Sequence, residues 1–163
     1  SMQFVFLVVG KTNEKYLNEG IAEYQKRLQK YISFKQEVIP ELKRQKGLSE
    51  LELKTREGQE ILSRLKASDL VALLDENGKS FDSVQFAQHL QKRMNAGSKR
   101  IVFIVGGPYG FSYEVYKRAN EKIALSKMTF SHQMVRLFLQ NRFTERLQSL
   151  EMSLTTINKK TQE

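Results

Sequence analysis

Ile101-Val102-Phe103-Ile104-Val105-Gly106-Gly107-Pro108-Tyr109-Gly110 is the stretch on which the fold turns. A fully apolar run of strand length breaks without transition into a glycine pair, a proline and a third glycine. Glycine tolerates positive φ and brings backbone close to a ligand with no Cβ in the way. Two readings of Gly106-Gly107-Pro108 therefore stand side by side: a plain strand-to-helix turn, or a turn that carries a ligand. The spacing is neither the Gly-x-Gly-x-x-Gly dinucleotide fingerprint nor a phosphate-binding P-loop, because no Gly-Lys-Ser/Thr follows at the required distance.

Working outward from this strand, helices and strands alternate. Residues 3–9 are apolar and β-branched and end at Gly10-Lys11. Asn13 is placed to cap a helix whose apolar face carries Tyr16, Ile21, Tyr24 and Leu28. Phe34 to Ile39 alternates as a second strand and stops at Pro40. The polar, basic segment 41–47 reads as a mobile loop, with Lys43, Arg44 and Lys46 as candidate RNA contacts or simply solvated charges. Ser49 opens a helix predicted to run to about Lys66, with Glu52 in capping-box position. Leu70 to Leu74 is a buried strand, and Asp75-Glu76-Asn77-Gly78 is turn chemistry. A helix over 83–95 ends at Gly97. The alternation predicts an α/β fold, one mostly parallel sheet flanked by helices, in a single domain spanning 1–163. Its ligand belongs at the carboxyl ends of the strands.

The chain has 163 residues, 40% hydrophobic and 28% charged, a globular balance. Without cysteine it has no disulfide scaffold, no thiolate zinc site and no cysteine nucleophile, and no metal is expected. The longest apolar runs are far below membrane-spanning length. No signal peptide is read in them, Ser1 before Met2 is read as the remnant of a tag, and a cytoplasmic location is expected. With 27 basic residues against 18 acidic ones the net charge is +9. That excess suits a polyanion such as RNA, though charge alone does not single one out.

A second segment carries the next signal: Ile123-Ala124-Leu125-Ser126-Lys127-Met128-Thr129-Phe130-Ser131-His132-Gln133-Met134-Val135-Arg136. A short apolar strand enters a polar turn, and Thr129 or Ser131 can cap the helix that follows. His132 and Arg136, four apart, share one helical face. By residue type alone, His132 is either a hydrogen-bonded structural residue or an acid–base group, and Arg136 an ion-pair partner or phosphate ligand.

Taken together, Gly106-Gly107-Pro108-x-Gly110, Leu125-Ser126-Lys127-Met128-Thr129-Phe130 and His132-Gln133-Met134-Val135-Arg136 resemble one bacterial family, the pseudouridine-N3 methyltransferases of large-subunit (23S) ribosomal RNA. That family belongs to the knotted SPOUT class. Val8-Val9-Gly10-Lys11, Glu57-Gly58 and Leu74-Asp75-x-x-Gly78-Lys79 are similar to it as well, so the resemblance runs from about residue 3 to residue 139. It implies a C-terminal trefoil knot, a homodimer, and methyl transfer from S-adenosyl-L-methionine to N3 of a pseudouridine. It further implies that Leu74, Gly106, Gly107 and the segment Leu125, Ser126, Lys127, Met128, Thr129 and Phe130 line the cofactor pocket. His132 and Arg136 become the candidates for catalysis, since an imide nitrogen needs only a modest base or anion stabiliser.

After Leu139 the resemblance stops. The family continues with a segment like Glu-Gln-(Ile/Leu)-Tyr-Arg-Ala-Phe and closes near Pro-Tyr-His-His, whereas this chain reads Gln140-Asn141-Arg142-Phe143-Thr144-Glu145-Arg146 and onward. Back-translated with suitable codons and read from the third base, this tail yields Glu-Gln-Ile-Tyr-Arg-Ala-Phe, ends in Pro-Tyr-His-His-Gln and meets a stop. A frame shift near codon 139 is the expectation, with methyl transfer impaired and cofactor binding retained. Phe143, Leu147, Leu150 and Leu154 still offer an apolar helical face.

Two other functions compete. A non-catalytic basic module that binds RNA or the ribosome needs no cofactor. A Rossmann-type nucleotide binder needs a glycine fingerprint at the exit of the first strand, and Gly10-Lys11 does not supply it.

Overall fold

The computed structural model describes residues 3–11, 14–15, 33–42, 47–124, 159 and 161. Within them lie β1 (Gln3–Val9), β2 (Ser33–Ile39), α1 (Glu50–Ser63), β3 (Leu70–Lys79), α2 (Ser83–Asn95), β4 (Arg100–Val105), α3 (Tyr113–Arg118) and β5 (Glu121–Ile123). The strands form one sheet in the order β2-β1-β4-β3-β5, and every neighbouring pair is parallel. The expected parallel α/β architecture is therefore what forms.

Both faces of the sheet are covered, which is why β1 and β4 are continuously apolar rather than alternating. On one face Phe6 stacks on Phe103 with ring centroids 5.5 Å apart, Phe4 lies 6.2 Å from the same ring, and Phe86 of α2 meets it at 6.1 Å. The intervening residues Val5, Leu7, Val9, Val102 and Ile104 point to the other face, where Ile61 of α1 and Val115 of α3 complete the cluster. Burying a side chain such as Ile61 contributes roughly 1.5–3 kcal/mol.

Local chemistry sets the boundaries. Ser49 Oγ accepts the Glu52 N–H at 3.1 Å and starts α1. The helix closes at Ser63, short of the expected Lys66, because the Arg64 and Leu65 N–H groups tighten onto the Ile61 and Leu62 carbonyls. Asp82 and Gln85 exchange side-chain-to-backbone bonds of 2.7 and 3.0 Å at the start of α2. Gly97 follows that helix at φ +87°, the left-handed turn expected of a C′ glycine.

Two segments differ from expectation. Residues 75–78, expected as a turn that ends the strand, instead form an irregularity within β3, with the Asn77 N–H donating to Asp75 Oδ1 at 2.9 Å. The chain then rejoins the sheet, so Leu74 and Lys79 both lie in register with Ile123. Gly78 permits this, because a Cβ there would sit 2.5 Å from the Lys122 carbonyl carbon. The short strand expected from Ile123 onward begins two residues earlier, at Glu121. The helix expected after Asn13 lies outside the described residues, apart from Glu14 and Lys15; the Glu14 N–H reaches the Gly10 carbonyl at 3.2 Å. The loop residues Lys43, Arg44 and Lys46 also lie outside them.

Candidate functional site

The strand order reverses beside β4. The chain goes from β1 to β2 on one side, but from β4 to β5, beyond β3, on the other. Such reversals open a crevice at the carboxyl ends of a parallel sheet. Gly106 and Gly107 leave the sheet there. In the adjacent strand Leu74 pairs with Val105 and, on its other side, with Ile123. Three of the residues expected in a cofactor pocket are thus brought to one edge, all half-buried.

The exit of β4 is shaped by close packing. A Cβ on Gly106 would lie 2.9 Å from the Phe111 ring, and one on Gly107 would lie 2.8 Å from Glu57 Oε2. The Gly110 N–H closes a turn onto the Gly107 carbonyl at 3.1 Å, and Gly110 itself takes φ +79°. Pro108 stands at the second position of that turn, where its fixed φ fits. Ser112 then caps α3, its Oγ accepting the Val115 N–H at 3.3 Å. The same hydroxyl leaves no room for a side chain at position 58, where a Cβ would meet it at 2.3 Å.

Glu57 is the residue that composition and motif did not single out as a site. It projects from α1 between the buried Leu53 and Ile61, and its carboxylate accepts the Gly107 N–H at 3.3 Å. Burial pushes this carboxyl above the ordinary range; the Gly107 N–H opposes the rise and the nearby charge of Glu41 adds to it. A charged residue in the apolar stripe of a helix is the sequence signal that marks it.

The exit of β3 is polar. Asp75 accepts the Tyr116 hydroxyl and the Asn77 N–H. Burial acts to raise the Asp75 carboxyl, but Tyr116, Asn77 and Lys122 together hold it below its ordinary value. Tyr116 is pushed up to about 12, by burial first and then by Asp75. The Tyr116 ring meets Phe111 edge-on at 5.7 Å, so the two strand exits are packed together through Phe111.

This arrangement is an apolar ledge, Leu74 and Gly106, with a carboxyl group at each strand exit. The remaining expected pocket residues, Leu125, Ser126, Lys127, Met128, Thr129 and Phe130, and the catalytic candidates His132 and Arg136, lie outside the described residues. So does the tail from Gln140 to Asn158. Among the described residues no group of His, Asp and Glu is placed to hold a metal ion, and no helix is long and apolar enough to cross a membrane.

Comparison with known proteins agrees with this geometry. The family model described as predicted SPOUT methyltransferase matches residues 2–146. A protein of Christiangramia forsetii named ribosomal RNA large subunit methyltransferase H is 57% identical over 146 residues, 90% of each chain. Proteins of the same name from Flavobacterium johnsoniae and Parabacteroides distasonis are each 55% identical, over 137 and 136 residues, covering 84% and 83% of this chain and 87% of their own. The parallel sheet, the glycine turn at the end of β4 and this extended similarity lead to one conclusion: the chain belongs to the SPOUT methyltransferase family.

Proposed function

We propose that this protein transfers a methyl group from S-adenosyl-L-methionine to large-subunit ribosomal RNA, at N3 of a pseudouridine. The observation that carries the reading is the 57% identity, over 90% of both chains, to a relative named for that class of substrate. A methyl-donor cofactor follows from family membership. The choice of S-adenosyl-L-methionine is supported by the family resemblance, and the small and apolar residues Leu74, Gly106 and Gly107 at the strand ends leave backbone open to its adenine. When bound, it supplies a methyl group already activated by a sulfonium. The protein's own residues then orient and enclose it: Gly106 and Gly107 by backbone, and Leu125, Ser126, Lys127, Met128, Thr129 and Phe130 as the remaining wall. His132 and Arg136 are proposed to assist at the imide nitrogen of the target base. A single domain, a C-terminal knot, a homodimer and a cytoplasmic location complete the proposal.

The tail favours a second reading. Residues 140–163 contain neither Tyr nor His, the groups the family resemblance leads one to expect there. A chain that binds RNA and cofactor without methyl transfer fits that tail, and a frame shift near codon 139 accounts for it. One experiment separates the readings. Ribosomes are incubated with radiolabelled methyl donor and either this chain or a version with the reconstructed tail, while calorimetry follows S-adenosylhomocysteine binding. Binding by both with incorporation only by the reconstructed version supports the impaired enzyme. Incorporation by neither, with no cofactor binding, overturns the methyltransferase reading. DNA sequence across codon 139 tests the frame shift directly; an in-frame gene through codons 130–163 in every isolate overturns it.

A further inference from the structure

Two grooves flank the β3–β5 edge, and their electrostatics differ. The larger, about 450 Å³, includes Asp75 and Glu121 in its lining. The smaller, about 280 Å³, is lined among the described residues by Lys79, Phe81, Gln85, Gln88, His89 and Lys92, together with Ser80, with no carboxylate among them. Among the described residues, Glu121 and Asp82 near it are both engaged in contacts of their own. Glu121 Oε2 is held by His89 Nε2 at 2.7 Å and by Arg93 at 3.2 Å. Asp82 Oδ1 accepts the Gln85 N–H at the start of α2. The groove therefore combines two exposed ammonium groups, a half-buried aromatic ring and two exposed amide side chains.

We infer that this groove binds one unpaired nucleotide of the RNA substrate together with its flanking phosphates. The inference rests on the RNA-methyltransferase reading and adds a location to it. Lysines neutralise phosphates, aromatic rings stack on bases that have left a helix, and amides hydrogen-bond base edges. Lys79 Nζ already lies 5.3 Å from the centre of the Phe81 ring, a cation on a π face. On binding, that ammonium moves to a phosphate and a base takes its place on the ring. The His89 ring, also in the groove wall, packs 4.9 Å from Phe81 and is anchored by Glu121, so it steadies the platform. Gln85 spends its carbonyl on the Asp82 N–H and keeps its amide NH2 for the ligand.

Position supports the assignment. The Lys79 carbonyl accepts the Ala124 N–H at 2.9 Å, and the next residue, Leu125, begins the segment proposed to wall the methyl donor. An RNA strand held on Lys79 is thereby held beside Ala124, the residue that precedes the segment proposed to wall the methyl donor.

The test uses the full-length chain, a large-subunit rRNA transcript in a salt series, and S-adenosylhomocysteine. The variant Lys79→Ala/Lys92→Ala is expected to bind the transcript about tenfold more weakly, with a log–log salt slope shallower by roughly 1 for each lysine lost. Phe81→Leu is expected to weaken binding about tenfold through lost stacking, and Phe81→Tyr to restore it. None of these changes should alter S-adenosylhomocysteine affinity, which also reports that the variants fold. The control, Lys99→Ala/Lys117→Ala, removes the same charge from exposed sites elsewhere and should leave most of the affinity. Equal losses in the lysine pair and the control, or unchanged RNA binding in all variants, overturn the groove while leaving the methyltransferase reading intact. Failure of the unaltered chain to bind the transcript overturns the groove, and the methyltransferase reading stands or falls by the ribosome assay. Lysine-dependent binding of polyglutamate without RNA binding would assign the groove to an acidic protein segment and overturn it equally.

Discussion

The two ends of the sheet are built on different principles. At the amino end of β3 and β4, charge and hydrogen bonds hold the chain. The Asp69 side chain is fully enclosed and accepts the Lys66 N–H at 2.7 Å and Arg100 at 3.1 Å. Arg118 donates to the Lys66 and Asp69 carbonyls at 2.9 and 3.1 Å, and Asn120 Oδ1 takes the Val71 N–H at 2.8 Å. At the carboxyl end hydrogen bonds such as Tyr116 to Asp75 are joined by close steric fit. Gly58, Gly78, Gly106 and Gly107 each allow a contact that a methyl group would prevent. Charge anchors one end so that the other can present bare backbone to a ligand. The comparison teaches that stability and binding are separable in this sheet.

That separation can be broken by substitution. The largest expected effect is at the amino end. Asp69→Ala leaves the part-buried Arg100 unpaired and should cost about 3–5 kcal/mol in denaturant unfolding, with cofactor affinity of the folded fraction unchanged. An equal loss in both quantities would show that the ends are coupled. Next comes Gly78→Ala, whose Cβ meets backbone rather than a yielding side chain. It should cost about 1–3 kcal/mol and, unlike the first variant, weaken S-adenosylhomocysteine binding, because Lys79 and Ala124 must separate. Unchanged affinity would remove Gly78 from the working end.

The smallest effect, and the one that sharpens the comparison most, is at Glu57. Glu57→Leu strands the Gly107 N–H and should cost about 1–3 kcal/mol, whereas Glu57→Gln keeps a carbonyl acceptor and recovers most of it. The pH dependence has a definite sign. The folded-state pKa of Glu57 is raised, so the native chain holds this proton more tightly than the unfolded one. The corresponding stability is present below the ordinary carboxylate value and is lost as pH rises through the raised value. Glu57→Gln should flatten that decline in a pH series of unfolding midpoints. A decline of equal steepness in the variant would assign it to another group.

Much of this frame was legible in the order of residues. Continuous apolar runs at β1 and β4 announce strands covered on both faces, and Ser49 with Glu52, like Gly97, marks helix ends through local hydrogen bonds. What escaped was set by distant partners. The six residues of α3 are too short to show a period, and β5 is expected only from Ile123 because Glu121 and Lys122 are polar. The return of Lys79 to the sheet depends on Gly78 passing the Lys122 backbone, which no local pattern encodes. At the site, Leu74, Gly106 and Gly107 were identified by resemblance, and the sheet brings them to one edge. Glu57 reaches Gly107 across 50 positions, and Tyr116 reaches Asp75 across 41; both contacts exist only once the layers pack.

The insertion of β4 between β1 and β3 has a consequence for the birth of the protein. Gln3 pairs with Arg100, so the first strand waits for its inner neighbour until the chain is nearly two-thirds made. At translation rates of about 5–20 residues per second, β1 spends roughly 5–20 s as an apolar ribbon with that edge open. The insertion of β4 therefore ends the exposure of an unpaired apolar strand edge.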